Sequence, residues 1–278
     1  MPKQSKGWPR ATPFPWVLGI VNVTPDSFSD GGRFLDAAHA IDHGLRMREE
    51  GADLVDVGGE STRPGAAAVS VEDELRRVIP VVEALAREAI AVSVDTMKPE
   101  VMRAAIDAGC AVVNDVNAFR APGAIEAVAR SGVGLIVMHM LGAPATMQQA
   151  PHYEDVVAEV GAFLRERARA LEAAGVDPGR IVLDPGFGFG KTLEHNRQLF
   201  RALPVLASMG YPVLAGVSRK RMIGEITGRP LEERAAGSVA AALLAVQNGA
   251  RLVRVHDVKE TVDAIRVWAA LNSSENPA

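Results

Sequence analysis

The chain has 278 residues, 48% hydrophobic and 23% charged, with a formal net charge of −4 and a single cysteine, Cys110. That balance leaves no electrostatic footprint for nucleic acid or anionic lipid, and one cysteine excludes an internal disulfide and a cysteine-based zinc site. No apolar run reaches about 18 residues, so no membrane-spanning helix is expected, and the cysteine usage suits a reducing compartment such as the cytoplasm.

The opening "MPKQSKGWPRATPFPW" carries charge and proline but no apolar core of a secretory signal, and residues 1–15 read as a loose lead-in. Eight short apolar runs follow: "WVLGIVN" (16–22), "ADLVDVGG" (52–59), "AIAVSVD" (89–95), "AVVNDV" (111–116), "VGLIVMH" (133–139), "RIVLDPG" (180–186), "YPVLAGVS" (211–218) and "RLVRVHD" (251–257). They are rich in Val, Ile and Leu and almost uninterrupted, as strands buried on both faces are. Helical patterns lie between them. After Ser70, with Asp73 as its capping partner, apolar residues recur at Val71, Leu75, Val78, Val82 and Leu85. A second stripe runs Val157, Val160, Leu164, Ala168 and Leu171 and stops at Gly175. The last two helical stretches, 232–248 and 259–271, are rich in Ala and Val and suit either an interface or the barrel wall. The terminal "NSSENPA" reads as a tail over 273–278.

Eight strand–helix units in about 260 residues predict a single-domain (β/α)8 TIM barrel over 16–272. A doubly wound open sheet is the alternative, but no G-x-G-x-x-G follows the first strand.

The carboxyl ends of these runs carry residues that a core has no use for. They are Asn22, then Thr62 and Arg63 after the second run, Asp95, Asn114 with Asp115, His139, Asp184, the "SRKR" stretch with Lys220 and Arg221, and Arg254 with His256. A lone Asp after a strand is most often a helix cap. Eight polar endings in one barrel exceed what capping explains, and a barrel gathers all of them at one face. Asp95, Asn114, Asp184 and Lys220 suit a flat heterocycle edge with several adjacent N–H donors, since a carboxylate accepts two parallel bonds. Asn22, Thr62, Arg63, Arg254 and His256 suit phosphate oxygens. The long loops "TPDSFSDGGRF" and "STRPGAAAVS" lie over the same mouth, where Phe28 offers an apolar wall and Asp30 a carboxylate.

In chain order, "NVTPDSFSDGG", "DVGGESTRPGA", "SVDTMKPEV", "MHMLGAPATMQ", "DPGFGFGKT", "GVSRKRMIG" and "RVHDVKET" resemble the dihydropteroate synthase family, folate-pathway enzymes inhibited by sulfonamides. The resemblance runs from about residue 17 to residue 270. It implies a cytoplasmic homodimeric barrel that joins 4-aminobenzoate to 6-hydroxymethyl-7,8-dihydropterin diphosphate, releases pyrophosphate and uses Mg²⁺. It assigns pterin binding to Asp95, Asn114, Met138, Asp184, Gly216 and Lys220. The diphosphate falls to Asn22, Thr62, Arg63, Arg254 and His256, with Ser61 a weaker candidate and Asn22 on the metal. Phe28, Thr62, Pro64, Phe189, Lys220 and Arg221 line the aminobenzoate pocket, and Asp30 stands beside the metal. Asp95, Asp184, Lys220 and Asp30 are the candidate catalytic groups. Two positions depart from the family: Arg221 replaces a Ser common there, and Leu141 replaces the polar residue of "MHMQG". A pterin methyltransferase on the same kind of barrel, a non-catalytic pterin-binding paralogue and a phosphosugar barrel enzyme are the rival readings. His139 is read as a structural hydrogen-bonding residue.

Overall fold

A computed structural model describes residues 15–23, 33–62, 67–144 and 146–272. Eight parallel strands are found, all within the predicted runs: β1 (Trp16–Asn22), β2 (Leu54–Gly58), β3 (Val92–Asp95), β4 (Val112–Asp115), β5 (Gly134–Met138), β6 (Ile181–Asp184), β7 (Leu214–Ala215) and β8 (Leu252–Val255). Their order is β6-β5-β4-β3-β2-β1-β8-β7. A single bridge between Leu183 and Val213, with Leu183 N–H donating to Pro212 O at 2.9 Å, brings β6 to β7 and makes a nearly closed barrel.

Helices surround it: α1 (Arg33–Glu49), α2 (Val71–Arg87), α3 (Pro99–Asp107), α4 (Ala124–Ala129), α5 (Val156–Ala173), α6 (Leu193–Arg201), α7 (Leu203–Ala207), α8 (Arg221–Thr227), α9 (Ala235–Gln247) and α10 (Val258–Asn272). Ser70 caps α2, accepting Asp73 N–H at 3.0 Å and donating its hydroxyl to Asp73 Oδ2 at 2.8 Å. Its buried face is Glu74, Val78, Val81, Val82 and Leu85, while Val71 and Leu75 are only half-buried. On α5 the stripe begins at Val156; Val157 lies at its edge, and Gly175 ends it with φ +90°.

Strand alternation divides the side chains between two cores. Outward residues such as Val55, Val57, Val113, Val137 and Val253 pack under the helices. The inward set forms a plug in the lower barrel: Leu54, Val112, Val182 and Leu252 from even strands, and Leu18, Ile136 and Leu214 from odd ones. Two residues further along, the even strands carry Asp56, Asn114, Asp184 and Arg254. In an ordinary barrel this layer is branched and apolar. Here it is polar throughout, with Asp56 0% and Asp184 4% exposed. Among the described residues no helix is long and apolar enough to cross a membrane.

Candidate active site

The polar layer and the strand ends above it form one connected set. Arg254 Nε donates to Asp56 Oδ2 at 2.5 Å, and its Nη2 donates to Asp95 Oδ2 at 2.9 Å. Asn114 Nδ2 lies 3.4 Å from the same Asp56 oxygen. Burial opposes the Arg254 charge, but the two carboxylates outweigh it and hold the guanidinium above its ordinary pKa. Burial pushes Asp95 up to about 7 against the pull of Arg254, and the Asp56 charge adds to the rise.

Asp184 Oδ1 accepts Gly186 N–H at 2.7 Å, so one carboxylate oxygen serves the turn that follows β6. Oδ2 faces Gly216, where an added Cβ would lie 3.9 Å from it, 3.6 Å from Lys220 Nζ and 3.8 Å from Arg254 Cβ. Glycine at 216 therefore leaves a floor between acid and base. Burial raises the Asp184 pKa against the pull of Lys220. Lys220 is pushed down to about 8 by burial, with Asp184 holding it up. Its Nζ donates to Phe187 O at 2.6 Å and stands 4.6 Å from the Phe189 ring centre. Met138 packs in a small cluster with Val116, Met140, Met147 and Phe189 beside this pair.

Asn22 ends β1 on the same rim. A Cβ at Gly58 would fall 4.0 Å from Asn22 Oδ1 and 3.6 Å from Asp95 Cβ, so the glycine keeps the space between them open. Thr62 is half-buried just beyond β2. His256 follows β8 and is held at Nδ1, 3.1 Å from Ser218 Oγ. Arg221 points away: its side chain is 81% exposed and pairs with Glu225 at 2.6 Å. Phe28, Asp30, Arg63 and Pro64 lie outside the described residues.

Two strand-end residues turn out to be structural. Asp115 accepts the N–H groups of Asn117 and Phe119, each at 2.7 Å, and so organises the turn after β4. His139 Nδ1 lies 2.9 Å from Lys191 Nζ, and burial beside that ammonium pushes the imidazole down to about 3. Asp95 caps no helix; Lys98 is the residue at the start of α3.

Several participants escape a reading of strand ends. Asp56 lies inside the run "LVDVGG", and its partner Arg254 is 198 residues away. Buried Lys191 donates to Gly186 O and Phe189 O, each at 3.0 Å, and so fixes the turn that presents Phe187 O to Lys220. Glu60 Oε1 accepts Val69 N–H at 2.9 Å while its Oε2 takes Lys98 Nζ at 2.5 Å, tying both feet of the 61–68 segment to one carboxylate. Only Lys191 carried a signal, a lysine closing a glycine-rich turn.

The sequence profile of the family described as "Pterin binding enzyme" matches residues 18–256. Dihydropteroate synthase of Escherichia coli (strain K12) is 51% identical over 264 residues, covering 94% of each chain. The chain belongs to the dihydropteroate synthase family. Solved structures agree with this membership. Xanthomonas albilineans dihydropteroate synthase with 4-aminobenzoic acid is 60% identical, covers 95% of each chain and superposes with a TM-score of 0.89. The same enzyme in complex with 7,8-dihydropteroate is 57% identical with a TM-score of 0.87, again over 95% of each chain.

Proposed function

We infer that the chain is a transferase of folate biosynthesis. It condenses 6-hydroxymethyl-7,8-dihydropterin diphosphate with 4-aminobenzoate and yields 7,8-dihydropteroate and pyrophosphate. Besides family membership, one observation carries this reading: carboxylates of β3 and β6, an amide of β4, a cation of β8 and the lysine that precedes α8 converge where an ordinary barrel is apolar.

A 2-amino-4-oxo pterin presents adjacent N–H donors on one edge and a carbonyl beside them. Asp184 Oδ2 and Asp95 accept from the donors, Asn114 pairs with a ring nitrogen, and Lys220 donates to the carbonyl or ring nitrogen it meets. Met138 and Gly216 leave the ring a flat slot. The diphosphate then extends towards Asn22, Thr62 and His256, and the family resemblance assigns Arg63 to the same anion. Arg254 stands between the two halves, because its guanidinium is already shared with Asp56 and Asp95.

The reaction breaks the C–O bond between the pterin methylene and the diphosphate. The electron pair leaves with pyrophosphate, and the ring delocalises the resulting cation, so dissociation precedes attack. Ionised Asp95 and Asp184 favour that cation electrostatically. The arylamine of 4-aminobenzoate attacks the methylene and then gives up a proton. It is neutral at pH 7, so orientation by Phe189 and Lys220, with Phe28, Thr62, Pro64 and the backbone N–H of Arg221, serves in place of a strong base. The family resemblance assigns Asp30 a place beside the metal.

The residues suit Mg²⁺. The ion prefers oxygen ligands and keeps waters or substrate phosphates in most positions, so one amide oxygen, Asn22 Oδ1 in its open cradle, is a sufficient protein ligand. When bound it neutralises charge on the departing diphosphate. The enzyme is a cytoplasmic homodimer. Leu244 on α9 and Val267 and Leu271 on α10 are 50%, 59% and 80% exposed and suit the subunit contact.

A coupled pyrophosphate-release assay tests the whole reading. Turnover is expected only with both substrates and Mg²⁺ present. A pterin methyltransferase would release no pyrophosphate under any of these conditions.

A further inference from the structure

Two loops of the rim are stitched together by adjacent pairs. Ser218 Oγ accepts the backbone N–H of His256 at 3.2 Å and lies 3.1 Å from His256 Nδ1. One residue on, Arg219 Nε donates to Asp257 Oδ2 at 3.1 Å, and Arg219 N–H donates to Ser238 Oγ at 2.8 Å. Ser218 is 4% exposed, and its hydroxyl is held by the backbone N–H and the Nδ1 of the same histidine.

A hydroxyl has one proton and two lone pairs. One lone pair of Ser218 Oγ is taken by His256 N–H. If the imidazole is neutral, the buried hydroxyl proton has no acceptor other than Nδ1 among the described residues, and Nδ1 is then the unprotonated nitrogen. If the imidazole is charged, Nδ1–H donates to the second lone pair. Both cases leave a proton on Nε2, the nitrogen Ser218 does not hold. The hydrogen bond made by one ring nitrogen sets the state of the other.

We propose that Ser218 is a positioning residue that locks His256 in the form whose Nε2 always donates, making it a fixed anion donor to the diphosphate rather than a proton acceptor. The proposal rests on the reading that His256 faces the diphosphate. It gives Ser218 no contact with substrate. It also predicts that the effect is confined to the phosphate half of the site, since the pterin half is built on Asp95, Asn114, Asp184 and Lys220.

Two measurements test it. In the first, ¹⁵N-histidine long-range NMR on the unaltered protein at alkaline pH assigns the tautomer of neutral His256, and the Nε2–H form is expected. An Nδ1–H form overturns the proposal without any variant. In the second, Ser218→Ala is compared with the parent for binding of pyrophosphate with Mg²⁺ and of an uncharged pterin lacking the diphosphate. Pyrophosphate affinity is expected to fall roughly five- to tenfold, as for a weakened charge-assisted hydrogen bond, while the uncharged pterin binds within about twofold. KM for the pterin diphosphate should rise and KM for 4-aminobenzoate should stay level. Unchanged pyrophosphate affinity in Ser218→Ala, or equal losses for both ligands, overturns the proposal. Failure of the parent protein to bind pyrophosphate at all strikes the functional reading itself, and the proposal with it.

Discussion

Arg254 Nη2 donates to Asp95 Oδ2 at 2.9 Å, joining residues 159 positions apart across the barrel mouth. The same guanidinium holds Asp56, which is 0% exposed. Two acids that would repel each other in a low-dielectric interior are therefore kept together by one cation. Arg254→Met leaves both uncompensated and is expected to destabilise the fold by about 3–5 kcal/mol. Adding Asp56→Asn should recover part of that loss. Urea unfolding of the single and double variants measures both, and a single variant within about 1 kcal/mol of the parent contradicts the pairing.

The Asp95 carboxyl gives a pH dependence of defined sign. Burial pushes it up to about 7, while an unfolded chain ionises it near about 4. Between those values the folded form binds the extra proton, so stability falls as pH rises from about 4 to about 7 and then levels. Asp95→Asn should flatten that slope in thermal melts. Because a pterin needs the ionised carboxylate, affinity for 6-hydroxymethylpterin should rise over the same interval in calorimetric titrations. An affinity that does not change with pH would count against Asp95 as an acceptor.

The turn after β6 is the next target. Gly186 has φ +66°, and an added Cβ would sit 1.9 Å from His139 O. Lys191 Nζ then ties two carbonyls of the turn together, those of Gly186 and Phe189. Lys191→Met is expected to cost about 3 kcal/mol, since hydrogen bonds from a charged donor are lost and their acceptors stay buried. KM for the pterin substrate should rise more than KM for 4-aminobenzoate, because the turn carries the Phe187 carbonyl that orients Lys220. Equal changes in both constants would show that the turn acts only on general stability.

Asp184→Asn separates charge from shape. It keeps an oxygen for the Gly186 N–H but removes the negative charge facing Gly216 and Lys220. Pterin affinity and the rate of pyrophosphate release should both drop, by roughly tenfold or more for one lost charge-assisted interaction. Release at the parent rate would remove Asp184 from the mechanism.

The exposed leucine and valine of α10 bear on assembly. Val267 and Leu271 stand one turn apart on a helix packed against α9. Val267→Glu with Leu271→Glu is expected to shift the sedimentation coefficient from dimer to monomer with the melting temperature little changed. An unaltered coefficient rules out this contact, and a parent that already sediments as a monomer rules out the proposed dimer.

Chain order and strand-end chemistry by themselves determined a great deal. Eight apolar runs separated by amphipathic helices leave a parallel barrel as the economical arrangement, and its carboxyl rim then collects every polar residue that ends a run. Asn22, Asp95, Asn114, Asp184, Lys220, Arg254 and His256 were legible as rim positions for that reason. Only the tertiary structure decided which neighbour of a pair points inward. Asn114 and Asp115 are adjacent and equally polar, yet one joins the site and the other holds a turn, because side chains alternate across a strand and the packing of the helices sets the parity. The same holds for Asp56, Lys191 and Ser218. Each meets a partner distant in sequence, Arg254, His139 and His256 respectively, and although a glycine-rich turn marks Lys191, no local pattern records those contacts.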